Sequence, residues 1–238
     1  STGAQQCTAV RQYYELRRYH VDSTQQKQGL VTFLADAAIP ALNRLGIEPV
    51  GVFEPREELS PVYVLLPHAS AESVATLTQR LSEDEEFLEQ GAAFLDAPAS
   101  DPAYARIESM LMIAFAGMPK LERPSDAGGR VFQLRTYESP SVKTGQKKIE
   151  MFNIGEIDIF RATGLAPVFF GETLVGEKMP NLTYMLGFDS PEAQEAAWAR
   201  FREDPAWKEL SAKPEYANEK ILCGITNLLL APVAGSQV

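Results

Sequence analysis

Hydrophobic and polar positions alternate residue by residue in some segments of this chain and recur at helical spacing in others, and the two kinds of segment follow one another along the sequence. Residues 13–20 alternate and are rich in aromatic side chains, which predicts a β-strand. Apolar residues then recur at helical spacing over residues 30–45, with Ser23 as a helix N-cap and Gly46 as the stop. Pro40 lies inside this helix and is expected to kink or shorten it.

The remaining pattern predicts four more elements in the first half. Residues 49–53 and 61–66 are short apolar strands joined by a charged turn. Ser70 can cap a helix that ends near residue 81, and residues 107–115 form a last strand. The order is therefore β-α-β-β-α-β. The second half gives the same order, with strands at 131–137, 167–170, 183–188 and 221–230 and helices at 145–162 and from Ser190.

Two motifs recur at one spacing. Tyr14-Glu-Leu-Arg-Arg-Tyr19 returns as Phe132-Gln-Leu-Arg-Thr-Tyr137, with 132 − 14 = 118. Gly46-Ile-Glu-Pro-Val50 returns as Gly164-Leu-Ala-Pro-Val168, with 164 − 46 = 118. A shared offset indicates a tandem duplication.

The duplication predicts two domains, residues 13–115 and 130–232, joined by a linker at 116–129 that is rich in Pro, Gly and charge. Their element order is that of a ferredoxin-like unit, an antiparallel sheet with two helices on one face. The bare face of each sheet needs a cover, and the other unit is the simplest one. The fold class is therefore α+β, with two tandem units whose antiparallel sheets pack as a pseudo-symmetric α+β barrel.

Strand alternation groups the candidate site residues on one face of each first strand. The Tyr14 and Leu16 face is predicted to lie under the helices, so the opposite face points into the space between the two sheets. A repeated Glu/Gln-Arg-Tyr set there predicts a polar cavity that grips a carboxylate or phosphate. The alternative is a set of ion-pair struts between the sheets. The candidate ligand-binding residues are Arg17, Tyr19, Arg135, Tyr137, Glu15 and Gln133.

Composition removes several classes of function. The net charge of −10 and the lack of a Lys/Arg cluster argue against a nucleic-acid partner. No apolar run approaches the roughly 18 residues of a membrane span. His20 and His68 are the two histidines, and no Cys/His spacing resembles a zinc site, so we expect no metal and no cofactor. The spacing of Cys7 and Cys223 gives no support for a disulfide between them.

The remaining side chains offer no catalytic motif. We expect His20 to be a solvated strand end without an acidic partner, and His68 to be a loop residue. Tyr63 and Tyr184 occupy corresponding places at an offset of 184 − 63 = 121. Phosphate-binding loops, nucleophile elbows and zinc-protease motifs are absent, so the catalytic residues are unknown.

The repeated x-Leu-Arg-x-Tyr strand, followed by a helix and then Gly-x-x-Pro-Val, resembles the NIPSNAP family of the dimeric α+β-barrel superfamily. The resemblance covers both units and implies a tandem ferredoxin-like barrel. It implies a superfamily that holds cofactor-independent monooxygenases, haem-degrading enzymes and proteins without established chemistry, and it transfers no catalytic residue. Similar bacterial members are often exported. Since the chain begins with Ser1, we expect a removed leader and a periplasmic or extracellular location, with the cytoplasm left open.

Three functions remain open at this stage. The first is binding of a small acidic or phenolic ligand between the two sheets. The second is a cofactor-independent monooxygenase or isomerase in the same cavity, with a tyrosine or His20 as acid or base. The third is a structural or assembly role. A homo-oligomer is compatible with each of them.

Overall fold

Eight antiparallel strands close into one barrel in the computed structural model, which describes residues 9–238. Around the barrel their order is β1-β3-β2-β8-β5-β7-β6-β4. The strands are β1 Tyr13–His20, β2 Gly51–Pro55, β3 Val62–His68, β4 Arg106–Ala114, β5 Val131–Glu138, β6 Ala166–Val175, β7 Asn181–Phe188 and β8 Gly224–Pro232.

Eleven α-helical segments cover the outside of this barrel in the described residues. They are α1 Thr24–Phe33, α2 Ile39–Arg44, α3 Ala71–Ala75, α4 Leu77–Ser82, α5 Glu85–Gln90, α6 Ala92–Leu95, α7 Val142–Met151, α8 Ile157–Thr163, α9 Pro191–Glu203, α10 Pro205–Ser211 and α11 Asn218–Ile221.

The barrel consists of two equivalent four-stranded sheets. The first unit, β1–β4, has the order β2-β3-β1-β4, and the second unit, β5–β8, has the order β6-β7-β5-β8. The units join through the β2–β8 and β4–β6 pairs, so the sheets share hydrogen-bonded edges as well as facing each other. Closure leaves no free sheet edge. The predicted fold class, a tandem ferredoxin-like α+β barrel, is confirmed.

The first helix of each unit is long and contains one π-helical turn. The π-turns span Leu34–Ala38 and Phe152–Glu156, and 152 − 34 = 118 repeats the sequence offset. In the first unit the N–H of Ile39 bonds to the carbonyl of Leu34, so the helix continues through Pro40 instead of ending there. We expected Pro40 to kink or shorten the helix, and it instead lies in the first turn of α2.

Serine side chains begin four of the helices, and the sequence predicts three of these caps, Ser23, Ser70 and Ser190, but not Ser141. Ser23, Ser70, Ser141 and Ser190 each accept a hydrogen bond from the backbone N–H three residues later. Each cap of this kind contributes about 1 kcal/mol to helix stability. Gly164 ends α8 with a φ of +87°, a conformation that glycine adopts without a steric penalty.

Three apolar clusters form the interior, one beneath the helices of each unit and one inside the barrel. The barrel cluster draws side chains from both units and fills the middle of the space between the sheets. Its members include Tyr14, Leu16, Phe53, Tyr63, Met112, Phe132, Leu134, Phe169 and Met185.

The predicted orientation of the first strands was wrong, and it is reversed in both units. Tyr14 and Phe132 point into the barrel, whereas Tyr19 and Tyr137 belong to the clusters beneath the helices. An eight-stranded barrel has an interior just wide enough for side chains to fill, with no water to hydrate charges. The Glu/Gln-Arg-Tyr face therefore lies in the layer between sheet and helices, which is open to solvent at its edges.

Candidate functional site

In the first unit, the arginine of the repeated strand motif is paired. Arg17 Nε donates to Glu15 Oε1, and Arg17 Nη1 lies 3.4 Å from Tyr19 Oη. The Glu15 and Arg17 side chains are 8% and 23% exposed. Burial alone would raise the pKa of Glu15, but His68 and Arg17 outweigh burial and lower that pKa to about 2. Here the ion-pair strut is the better description.

Both histidines have partners that the sequence did not indicate. His68 is the last residue of β3, is 0% exposed, and lies beside Glu15 with 3.4 Å between Nε2 and Oε2. The prediction of a loop residue was wrong. His20 Nε2 lies 2.6 Å from Glu108 Oε2, so the predicted lack of an acidic partner was also wrong.

In the second unit, Gln133 replaces Glu15 and has a positioning role. Its Oε1 accepts hydrogen bonds from Trp198 Nε1 at 2.7 Å and from Gln194 Nε2 at 3.1 Å. Its Nε2 donates to Asn227 Oδ1 at 2.8 Å. One amide therefore ties α9 to the sheet and fixes the indole of Trp198.

Because Gln133 is neutral, Arg135 has no counterpart of the Arg17 ion pair. Within residues 9–238 no carboxylate lies in ion-pairing distance of Arg135, and its buried Nε has no hydrogen-bond partner. Its guanidinium lies 4.9 Å from the Trp198 ring centre and 5.4 Å from that of Tyr137. Cation–π contacts hold the group without neutralising it.

Arg135 lies at an open cavity between the sheet and α9, which we name the α9 cleft. Its volume is about 870 Å³. The side chains that matter for recognition are Gln133, Arg135, Gln194, Trp198, Arg202 and Leu229, with Glu192 and Glu195 on the same helix. The cleft thus combines one aromatic wall, one aliphatic side chain and an uncompensated cation.

Beneath Arg135 lies a pair of buried tyrosines. Tyr137 Oη and Tyr184 Oη are 2.8 Å apart. Burial raises the pKa of both phenols, for Tyr184 well above its ordinary value, although the charge of Arg135 opposes this. Both groups therefore remain protonated at neutral pH, and one hydroxyl donates its hydrogen bond to the other.

A buried ion pair completes this layer. Lys148 Nζ lies 2.8 Å from Glu156 Oε2, and the two side chains are 2% and 3% exposed. Burial raises the pKa of Glu156, while Lys148 counteracts the shift. At the offset of 118, the first unit has Leu30 and Ala38 in these places. The second unit alone carries this charged pair, which is costly to bury.

Tyr63 and Tyr184 are not equivalent, contrary to the sequence prediction. Tyr63 pairs with Arg18, whereas Tyr184 pairs with Arg135, so the counterpart of Tyr184 is Val64 at an offset of 120. Tyr63 lines a cavity of about 390 Å³ at one end of the barrel, where Arg18 bridges Glu108 and Glu177 at 3.2 and 3.1 Å. This cavity at the end of the barrel is the open part of the space between the two sheets.

Residues 9–238 hold neither a cluster of metal ligands nor a membrane-spanning helix. Their His, Cys, Asp and Glu side chains form no cluster of three that could hold a metal ion. None of the helices in this range has the length and hydropathy to cross a bilayer. Cys223 is exposed, and Cys7, the other cysteine considered for a disulfide, lies outside the described residues.

Comparison with known families finds a match to the second unit. The NIPSNAP family model matches residues 132–237, which carry the Phe132-Gln-Leu-Arg-Thr-Tyr137 strand and the α9 cleft. Over these residues the second unit is similar to NIPSNAP domains. The resemblance seen in the sequence is thereby confirmed for residues 132–237, and for the first unit it stays a prediction. No curated protein matches the chain.

Solved structures extend the likeness in fold beyond the second unit. A candidate monooxygenase of Fusobacterium nucleatum covers 94% of this chain and 93% of its own, at 7% identity and a TM-score of 0.60. A candidate monooxygenase of Lactobacillus acidophilus covers 93% and 94%, at 9% identity and 0.60. An anthrone oxidase-like protein covers 95% and 93%, at 13% identity and 0.54. Identities this low show a shared tandem barrel.

Proposed function

We propose that this protein binds a small acidic or phenolic ligand in the α9 cleft of its NIPSNAP-like second unit, with Arg135 as the anchor. The observation that carries the proposal is the uncompensated guanidinium of Arg135 beside an open cavity. A guanidinium in this setting binds a carboxylate through two parallel hydrogen bonds.

The difference between the two units supports a single site of this kind. Arg17 occupies the same strand position as Arg135, but Glu15 already neutralises it. A ligand anion at Arg17 would have to displace a carboxylate of the protein. At Arg135 no carboxylate of residues 9–238 stands in ion-pairing distance, so the second unit is the better anion site.

The walls of the cleft indicate a ligand with a flat apolar body. Trp198 presents its ring beside Arg135, and its orientation is fixed by the hydrogen bond to Gln133. Leu229 contributes an aliphatic surface. The volume of about 870 Å³ lies within the range of ordinary small-molecule sites. An aromatic acid or an ionised phenol fits this combination.

The test is calorimetric titration with salicylate, which carries both a carboxylate and a phenol. We expect Arg135→Gln to weaken binding by about 10- to 150-fold, since a hydrogen bond to a charged group contributes about 1.5–3 kcal/mol. Arg17→Gln is the matched control at the equivalent position, and its affinity should stay within about twofold of wild type. Equal losses in the two variants, or no loss in Arg135→Gln, would refute the assignment.

A cofactor-independent oxygenase is the second candidate for the same cleft. The supporting observations are the names of the structural neighbours and the buried Tyr137–Tyr184 pair beside Arg135. In this role Arg135 would favour the ionised form of a phenolic substrate, and the protonated tyrosines would supply a proton. Oxygen uptake with a panel of hydroquinones tests this role. Binding without oxygen consumption leaves the ligand-binding function alone.

A further inference from the structure

A chain of three hydrogen-bonding side chains lies in the first unit, away from the α9 cleft. Ser73 Oγ is 2.8 Å from His68 Nδ1, and His68 Nε2 is 3.4 Å from Glu15 Oε2. Glu15 is itself held by Arg17 and by Ser109 Oγ at 3.2 Å. The order hydroxyl, imidazole, carboxylate is that of a serine nucleophile, its base and the group that orients the base.

The protonation states of this chain are mutually consistent. With the imidazole proton on Nε2, His68 points that proton at Glu15 and leaves Nδ1 free to accept from the Ser73 hydroxyl. The contact to Glu15 is longer than a formed hydrogen bond, which is common for catalytic contacts before a substrate is bound. In the usual triad the hydroxyl faces Nε2 and the carboxylate faces Nδ1. Here the hydroxyl faces Nδ1 and the carboxylate faces Nε2, so each ring nitrogen still has one partner.

A cation completes the arrangement. Arg80 Nη2 donates to Ser73 Oγ at 2.9 Å and to the Ser73 carbonyl at 2.8 Å, so its charge is fixed beside the hydroxyl. A positive charge there favours loss of the hydroxyl proton, because it stabilises the negative charge that develops on Ser73 Oγ. Ser73 is partly exposed, whereas His68 is fully buried.

The second unit provides an internal comparison because it lacks all three members. At the places of Glu15, His68 and Ser73 it carries Gln133, Phe188 and Ala193. Ser73 and Ala193 are equivalent in structure, since the N–H of each bonds to the capping serine of its helix. A purely structural cap would not need the histidine and the buried acid.

We propose that Ser73 is an acylatable nucleophile and that the first unit hydrolyses activated esters. Ser73 Oγ bonds to the carbonyl carbon as its proton moves to His68 Nδ1. The ester C–O bond then breaks, and the leaving alkoxide or phenolate takes that proton. Water next attacks the acyl carbon and gives a proton to His68, the bond from Oγ to carbon breaks, Ser73 regains the proton and the acid leaves.

The experiment is labelling with a fluorophosphonate, followed by peptide mass spectrometry, in parallel with p-nitrophenyl acetate hydrolysis. We expect one adduct per chain on Ser73 and none on Ser70, the hydroxyl three residues before it. His68→Gln should slow labelling by about 100-fold or more, whereas Ser70→Ala should not. Thermal unfolding of each variant checks its fold.

The wild-type protein decides the matter if a variant does not fold. A folded wild type that gains no adduct on Ser73 overturns the proposal, and so does a folded His68→Gln that is labelled as fast as wild type. Salicylate binding at Arg135 is independent of both results, so this proposal and the function of the α9 cleft can fail separately.

Discussion

Gln133→Glu tests the reasoning on the α9 cleft with a change of one functional group. The substitution gives the second unit the acid that the first unit has at Glu15, two residues before the arginine on the same face of the strand. We expect the new carboxylate to pair with Arg135 as Glu15 pairs with Arg17. The guanidinium then has no free charge for a ligand.

The expected size of the effect follows from the interactions that change. The ligand would lose charge-assisted hydrogen bonds of about 1.5–3 kcal/mol, so salicylate affinity should fall by about 10- to 150-fold. Trp198 and Gln194 still find an acceptor oxygen at position 133, while the bond that Gln133 donates to Asn227 is lost. That loss costs about 1 kcal/mol, or roughly 2–4 °C in a chain of this size, and the new ion pair offsets it in part.

The assay is titration calorimetry with salicylate, and thermal unfolding of the same samples provides the control for stability. Gln133→Met is a second control, because it removes the amide but adds no charge. It should release Trp198 and lower affinity less than Gln133→Glu does. If Gln133→Glu binds salicylate as wild type does, Arg135 is not the anchor and the comparison of the two units is misleading.

Three further predictions concern stability, each measured by urea unfolding. Lys148→Leu should cost about 3–5 kcal/mol because it leaves Glu156 buried and unpaired, whereas adding Glu156→Ala should restore most of the loss; equal stability of the two would contradict the pair's role. The pKa of Glu15 is about 2 when folded and about 4.5 when unfolded, so ionised Glu15 contributes about 3 kcal/mol to the free energy of unfolding. This contribution is present above pH 4.5 and is lost as pH falls toward 2. Glu15→Gln should flatten this pH dependence of stability, and an unchanged slope would refute the assignment. Gly164→Ala should cost more than 1 kcal/mol, since φ is +87° and the added carbon would lie 2.6 Å from Arg200 Nη2; a neutral result would argue against strain there.

The sequence predicts the fold well because two independent signals agree. Periodicity gives the order of the elements, and the offset of 118 shows that the order occurs twice. The structure returns the same offset in the π-turns that begin at Leu34 and Phe152. Strand closure through β2–β8 and β4–β6 follows from that duplication, since each unit has a bare face and two free edges.

Alternation cannot decide which face of a strand points inward. It correctly groups Glu15, Arg17 and Tyr19, yet both orientations of that group are consistent with the pattern. The closed barrel decides the matter by volume, because its interior accepts Tyr14 and Leu16 and leaves the charges no water. Contacts between distant residues, such as Gln133 with Trp198, depend on the register of β5 and on the position of α9, and periodicity carries no information on either.

One signal in the sequence would have located the polar layer of the second unit. Aligned at the repeat offset, Lys148 falls on Leu30 and Glu156 falls on Ala38, which are buried apolar places of the first unit. A charge at a repeat position that is apolar in the other copy indicates either a pair or a site. His68 gives the same signal in the opposite direction, since its counterpart is Phe188.

The two units therefore share a scaffold but differ in how they compensate charge. Glu15 neutralises Arg17 and orients His68, so the polar atoms of the first unit face one another and Ser73 is the exposed end of that chain. Gln133 turns instead to Trp198, and Arg135 has no ion-pair partner within residues 9–238. The acid at position 15 against the amide at position 133, together with His68 against Phe188 and Ser73 against Ala193, thus separates a site suited to nucleophilic chemistry from a site suited to an anion. A chain with both Glu15→Gln and Gln133→Glu exchanges the two residues. It should lose salicylate binding at Arg135, and labelling of its Ser73 should be slow. Retention of both properties would show that this strand position, residue 15 in the first unit and residue 133 in the second, controls neither site.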